Sequence, residues 1–301
     1  PPAASPVKAE VAGSAKDYDV VVVGAGPIGI LYASFVKQQR PRTRILVLER
    51  SPEPGHKIGE STLSGFCKAL RTVGIRQEAM QTLFYPNNGL GFFHVQESTR
   101  NLTPAPEYIL ETFAQTFQVE RRVLDALLIA NAQRLGITVV QGASVQMEEC
   151  SFGSGGDVVT YTVGSRAFRV RAPLAVDASG PTGLFASKFG LRTSEGLPFQ
   201  TSSVWTYFDG VRPLADYPGW ARKSQFLRDE YTQHLCFREG WLWYIPLVSW
   251  QAAPTANLGR ALDRMLRVGR GFPDREELSE EYACPSRDIV SIGLTLRSDR
   301  D

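Results

Sequence analysis

The sequence predicts an α/β chain in two parts: a parallel-sheet unit at the N-terminus and a second region built on a mostly antiparallel sheet. Three observations predict this. A β-branched run at Tyr18 to Val23 leads through a glycine turn into a helical stretch and a second apolar strand. Short buried strands and one amphipathic helix continue to about Leu191. Beyond that point the strands lengthen and their faces are mixed, and no second helix–strand alternation follows.

The elements follow in order. Gly24 to Gly29 is a tight turn, and Ile30 to Gln39 is helical, with Ile30, Leu31, Ser34, Phe35 and Gln38 at three- and four-residue spacings and Pro41 as the stop. Ile45 to Leu48 is the second strand, so the first segment is a βαβ unit. Ser61 to Val73 reads as a helix ended by Gly74. Pro86-Asn87-Asn88-Gly89 reads as a turn before a strand at Leu90 to Val95. Arg121 to Leu135 is the clearest amphipathic helix, with Val123, Leu124, Leu127, Leu128 and Ala132 on one side and Gly136 as its cap. Ile137 to Val140 is a strand. Val158 to Val163 and Ala167 to Val170 form a hairpin around Gly164-Ser165. Leu174 to Val176 is a short buried strand that ends at Asp177-Ala178-Ser179-Gly180. Ser202 to Phe208, Gln233 to Phe237, Trp241 to Ile245 and Ile289 to Leu296 are the later strands.

Composition narrows the class. Lys plus Arg is 33 and Asp plus Glu is 31, a formal charge of +2, which excludes an acidic disordered tail and a strongly basic nucleic-acid binder. Cys67, Cys150, Cys236 and Cys284 are far apart and the three histidines are dispersed, so neither a disulfide framework nor a metal site is expected, and a cytoplasmic setting is. The most apolar stretch, Val20 to Val36, is broken by glycine and proline and does not read as a membrane span. Residues 1–16 are a Pro/Ala-rich segment, expected to be a flexible tail.

Gly24-x-Gly26-x-x-Gly29 follows a strand and opens a helix. Gly24 permits the turn, Gly26 lets a pyrophosphate approach the backbone, and Gly29 lets the helix pack close to the strand. The helix N-terminus offers free N–H groups and partial positive charge to the phosphate. Glu49 ends the second strand about 20 residues on, where a carboxylate accepts hydrogen bonds from ribose hydroxyls. Pro27, Ile28 and Arg50 complete this candidate dinucleotide site. The turn alone does not decide between FAD and NAD.

Two later elements favour FAD: Arg121 at the start of the amphipathic helix, and Asp177 to Gly180 at a strand end. This set resembles the p-hydroxybenzoate hydroxylase-like flavoproteins. That resemblance implies a Rossmann-like FAD-binding domain interleaved with a mostly antiparallel β-sheet substrate domain. It lays Arg121 along the cofactor and brings Asp177 and Gly180 near the pyrophosphate. Lys57-Ile58-Gly59-Glu60-Ser61-Thr62 is in physical terms a glycine kink followed by polar residues able to cap the next helix. It is also similar to the KxGES strap of flavin-dependent halogenases, which runs along the isoalloxazine and so assigns Glu60 and Ser61 to the cofactor. Gly240-Trp241-Leu242-Trp243-Tyr244-Ile245-Pro246 matches that family's GWxWxIP signature. On a strand, Trp241 and Trp243 share one face as a bulky apolar wall, and the resemblance makes this wall the substrate pocket.

The sequence also departs from the pattern. The family carries a catalytic Lys before a Gly-containing strand with a Phe pair. Laid on Phe84 to Phe93, that pattern puts Asn87 at the Lys position. An amide cannot form a haloamine, although it can donate a hydrogen bond. Lys57 is a nearby amine. These two, Lys57 and Asn87, are the candidate catalytic residues. The family's C-terminal part has no counterpart after Asp301, and residues 251–287 read as an insertion with a basic amphipathic helix at Arg260 to Arg267, whose charges are read as solvated surface.

The resemblance therefore implies an FAD-dependent oxidoreductase that uses reduced FAD and O2 to halogenate a small, aromatic substrate, with the flavin reduced by a separate reductase. The alternatives are an FAD-dependent monooxygenase without halogenation, and a non-catalytic flavin-binding remnant or fragment. The expected division is 17–75 with 112–195 for the FAD-binding domain and 76–111 with 196–301 for the substrate domain. The expected partners are a small-molecule substrate and a flavin reductase, with no nucleic acid, metal or membrane span.

Overall fold

The computed structural model describes residues 16–94, 107–193, 195–197, 199–218, 222–223 and 225–298. Residues 1–15 of the expected tail and Val95 lie outside them. The chain divides into two compact units, Pro1–Gly55 with Asp125–Thr193, and His56–Leu124 with Ser194–Asp301. The segments 56–75 and 112–124 thus pack with the second unit.

The first unit holds a four-stranded, all-parallel sheet. Its order is Leu174–Asp177, Val20–Val23, Ile45–Glu49, Thr138–Gln141. Val20 to Val23 are all buried, as a central parallel strand covered on both faces requires. Helix Pro27–Gln39 follows with Pro at its start, where the missing N–H is no loss. It buries Gly29, Ile30, Leu31, Ala33 and Ser34, and full burial of a side chain such as Ile30 is worth about 1.5–3 kcal/mol. A second four-stranded sheet carries the hairpin Asp157–Val163 and Arg166–Ala172. Tyr18, Val21, Leu46, Leu48, Val159, Tyr161 and Val170 join in one apolar cluster.

The second unit is built on a six-stranded sheet. Its order is Thr201–Asp209, Arg287–Arg297, Gly240–Ser249, Thr232–Phe237, Tyr85–His94, Glu107–Gln118. All neighbours are antiparallel except Thr232–Phe237 with Tyr85–His94. The mixed α/β architecture, with a Rossmann-like parallel sheet and a mostly antiparallel second sheet, is the one the sequence predicts.

Two local expectations are corrected, and the basic helix expected at Arg260 to Arg267 is present. The helix expected at Ser61 to Val73 begins only at Ser64 and ends at Thr72, and its N-cap Leu63 makes no side-chain cap bond. The polar residues before it do not cap it, because their main chain is engaged elsewhere: Val119 N–H donates to the Glu60 carbonyl (2.6 Å) and Thr62 N–H to that of Phe117 (3.0 Å). Pro86 to Gly89 is not a turn but part of one strand, Tyr85–His94, with a register shift between Asn87 and Gly89. The Asn87 side chain caps that bulge by accepting the Gly89 N–H (3.2 Å), so the strand passes through. Residues 251–287 hold two helices, Thr255–Arg267 and Arg275–Tyr282, the second opened by a capping box between Asp274 and Glu277. The first buries Leu258, Ala261, Leu262 and Met265, so the arginines of the expected basic helix lie on its other sides. A short helix at Gln77–Leu83 has no counterpart in the sequence reading.

Candidate functional site

In the first unit the site starts at the glycine loop. Gly24 has φ +111°, and a Cβ there would lie 2.2 Å from the Ala178 carbonyl oxygen. A Cβ at Gly29 would lie 2.2 Å from the Gly24 carbonyl oxygen. Both glycines are therefore required by packing. Gly26 differs: its φ is −65° and a Cβ there would meet nothing within 4 Å. Its Cβ position faces open space at the first turn of Pro27–Gln39, where no side chain caps the amide groups. That combination, an uncapped helix N-terminus beside a bare backbone, is an anion cradle. Ile28, 73% exposed, leaves the cradle unplugged. Arg50 is exposed at the end of the second strand.

Glu49 is turned to this loop. Its Oε2 accepts the Ala25 N–H (2.8 Å) and its Oε1 the Ser51 N–H (3.0 Å). Asp177 is held in its own turn. It accepts from Ser179 Oγ (2.5 Å), Ser179 N–H (2.9 Å) and Phe185 N–H (2.8 Å). Partial burial raises its pKa, but these bonds win and hold the carboxyl below the usual range. Gly180, at φ +65°, follows directly and opens the next turn. The donor set of this unit, main-chain amides plus two placed carboxylates, fits an adenine dinucleotide.

In the second unit the strap Lys57 to Thr62 is tied at both ends. Arg121 Nη1 donates to the Ile58 carbonyl (2.7 Å), beside Gly59 at φ +92°. Lys57 is half-buried next to this tie. Ser61 Oγ accepts from Asn87 Nδ2 (3.1 Å) and Thr232 Oγ1 (2.7 Å). Asn87 is 1% exposed and its amide is fully engaged: Nδ2 also reaches the Thr62 carbonyl (3.3 Å), and Oδ1 holds Gly89 N–H. Glu60 is 2% exposed. Burial pushes its carboxyl up, against hydrogen bonds from Ser291 and Tyr207, the latter at 2.7 Å. Ser291 Oγ in turn accepts the Trp243 Nε1–H (3.3 Å). The strap carboxylate is thus joined to the double-tryptophan strand through one serine.

Strand register sets the other half of this face. One line of paired residues crosses all six strands: Tyr108, Phe92, His234, Trp243, Gly293 and Trp205. The Phe92 and His234 rings stack at 4.6 Å with 13° between planes. Trp241 stands on the same face, opposite Cys236. Sequence reasoning found Trp241 and Trp243 but missed Tyr207, Ser291, His234, Phe92 and Gly293. Alternation gives each residue's face, whereas strand order gives its neighbours, and that order is not written in any one segment.

A family model described as tryptophan halogenase matches residues 19–95 and 93–253. The flavin-dependent halogenase malA of Malbranchea aurantiaca is 30% identical over 300 residues, covering 93% of this chain and 43% of that protein. Monodechloroaminopyrrolnitrin halogenase PrnC of Pseudomonas fluorescens is 31% identical over 317 residues, covering 94% of this chain and 53% of that protein. Among solved structures, halogenase PltM superposes with a TM-score of 0.68 at 21% identity, over 94% of this chain and 52% of that one, which shows a shared fold. The chain spans about half the length of the curated relatives it matches. No described helix is long and apolar enough to cross a membrane.

Proposed function

Since the chain belongs to the tryptophan halogenase family, we propose that it binds FAD and takes part in the oxidative halogenation of a small aromatic substrate. The observation that carries this reading is the open position at Gly26 beside an uncapped helix start, with Glu49 turned to the same loop. Gly26, Ile28 and Gly29 would hold the diphosphate by main-chain N–H groups, while Gly24, whose N–H is given to the Leu48 carbonyl, shapes the turn and Pro27, which has no N–H, fixes the helix start. Glu49, with Arg50 beside it, would take the ribose end, and Asp177 and Gly180 would fix the neighbouring turn. In the second unit Glu60, Ser61 and Arg121 are the proposed flavin-facing residues, on the strength of the strap motif. Reduced FAD supplies the two electrons with which O2 is activated. The protein's own part is to orient the reactants and exclude water, with Trp241 and Trp243 as the apolar wall on the substrate's side. A separate flavin reductase would supply the reduced cofactor, and Lys57, the first residue of the strap, is the proposed catalytic amine.

A second reading keeps FAD and replaces halogenation with oxygen insertion. Asn87 favours it, because the position the resemblance gives to an amine holds a buried amide bound to Ser61, Thr62 and Gly89. The test is product analysis. The polypeptide is supplied with FAD, a reductase, O2, chloride or bromide, and simple phenols, pyrroles or indoles. A product heavier by one halogen in place of hydrogen supports the first reading, and a product heavier by one oxygen at every halide concentration replaces it with the second. No oxygen-dependent product with flavin bound would leave a flavin-binding module.

A further inference from the structure

The six-strand line of paired residues is more than a wall. Among the described residues, the strap's hydrogen bonds reach one row of the sheet face: Tyr207 donates to Glu60, and Thr232 donates to Ser61. The next row on the same face is the line Tyr108, Phe92, His234, Trp243, Gly293, Trp205. It is partly exposed, with Tyr108 60% and Trp205 38% exposed and Phe92, His234 and Trp243 half-buried. Its central members show little polarity. The Trp243 N–H is tied to Ser291, which leaves the indole as an apolar surface. Gly293 carries no side chain, and the space it leaves is filled by the Trp243 ring. Phe92 covers one face of the imidazole.

The polar exception at the centre of the row is His234. Its Nδ1 lies 3.2 Å from the Gly91 carbonyl oxygen, which places the proton on Nδ1 and the lone pair on Nε2. Burial also holds this imidazole below its ordinary pKa, against the Gly91 and Thr232 carbonyls, so the ring is neutral near pH 7. A neutral imidazole with its proton fixed on one nitrogen is an acceptor at the other.

We infer that this row is a platform for a flat aromatic ring and that His234 Nε2 accepts a hydrogen bond from the O–H or N–H of that ring. The inference rests on the aromatic-substrate reading above and names the residue that selects within it. The contact is a hydrogen bond and breaks no bond: the substrate O–H or N–H donates to the Nε2 lone pair, which draws the proton toward the imidazole and leaves electron density on the ring heteroatom. The ring becomes richer in electrons at the carbons an electrophile attacks. Ethers and N-alkyl analogues of the same shape lack that proton and leave Nε2 unpaired, which is how a polar site rejects an isostere.

The experiment uses the whole chain without flavin and two probes, 4-nitrophenol and 4-nitroanisole. Affinities are read by tryptophan fluorescence, and the visible band of 4-nitrophenol reports its protonation. The expected result is about tenfold tighter binding of the phenol than of the ether, with the bound phenol's band shifted toward that of the phenolate. His234→Phe keeps a ring stacked on Phe92 and should bind 4-nitroanisole within about twofold of the native protein while losing both the preference and the shift. His234→Gln, which retains an acceptor, should keep part of the preference without the shift. Equal native affinity for the two probes, no binding of either, or a preference surviving in His234→Phe would overturn the inference. So would a fall in both affinities in both variants, which makes His234 structural. Because no flavin is present, a protein that binds no FAD but keeps the preference sinks only the flavin reading, and a flavin-binding protein without the preference sinks only this one.

Discussion

The Trp243 indole fills the space that a side chain at residue 293 would need: a Cβ on Gly293 would lie 2.0 Å from Trp243 Cζ2. The two residues are direct partners on adjacent strands. The contact fixes the ring where its Nε1–H meets Ser291 and, through it, Glu60. Gly293→Ala is therefore expected to displace the indole and destabilise the protein by about 1–3 kcal/mol, with a shifted tryptophan emission. Unfolding in urea together with the emission spectrum checks this, and native stability with native emission would refute the contact.

Asn87 acts on the bulged strand. Its removal leaves Gly89 N–H and the Thr62 carbonyl without their partner in a buried setting, and Ser61 Oγ with one donor fewer. Asn87→Ala should cost about 2–3 kcal/mol. Amide exchange at Gly89 should quicken as well. A loss under about 0.5 kcal/mol would show that the bulge is held by the strands alone.

Glu60 gives a pH signature. Its carboxyl is raised by burial, so the folded state favours the protonated form. Its contribution to stability is fully present below the unfolded pKa, about 4.3, and is lost as pH rises through the folded value. Glu60→Gln is neutral throughout. The melting temperature of the variant relative to the native protein should therefore rise between about pH 4 and about pH 7. A gap that stays constant or closes over that interval would show that the carboxyl is not held in a protonated preference.

Much of the first unit was legible because its signals are local. The run at Val20 to Val23, the three glycines and the helix start at Pro27 all lie within a few turns of one another, and each has one mechanical reason. The double-tryptophan strand was legible for the same reason, since period-two alternation puts both rings on one face. Misreadings arose where a local signal competed with a distant partner. Asn87-Asn88-Gly89 has turn chemistry, yet pairing with Glu107–Gln118 keeps it in a strand. Ser61 and Thr62 have capping chemistry, yet Phe117, Asn87 and Thr232 take their groups. His234 carried no signal at all, because its place beside Phe92 depends on one parallel pairing inside an otherwise antiparallel sheet.

The glycine loop separates what the fold needs from what a ligand needs. Gly24→Ala meets the Ala178 carbonyl at 2.2 Å in a left-handed backbone and should destabilise the chain by more than about 2 kcal/mol. Gly26→Ala meets nothing and keeps an ordinary φ, so its cost in unfolding should stay within about 1 kcal/mol.

The most direct measurement is therefore a titration of FAD into the native protein and into Gly26→Ala, read by flavin fluorescence, with urea unfolding of both in parallel. A bound flavin in the native protein, and an affinity lower by about tenfold or more in a variant of near-native stability, is the predicted result. A native protein that leaves FAD free in solution, or a Gly26→Ala variant that binds it equally well, would contradict the account.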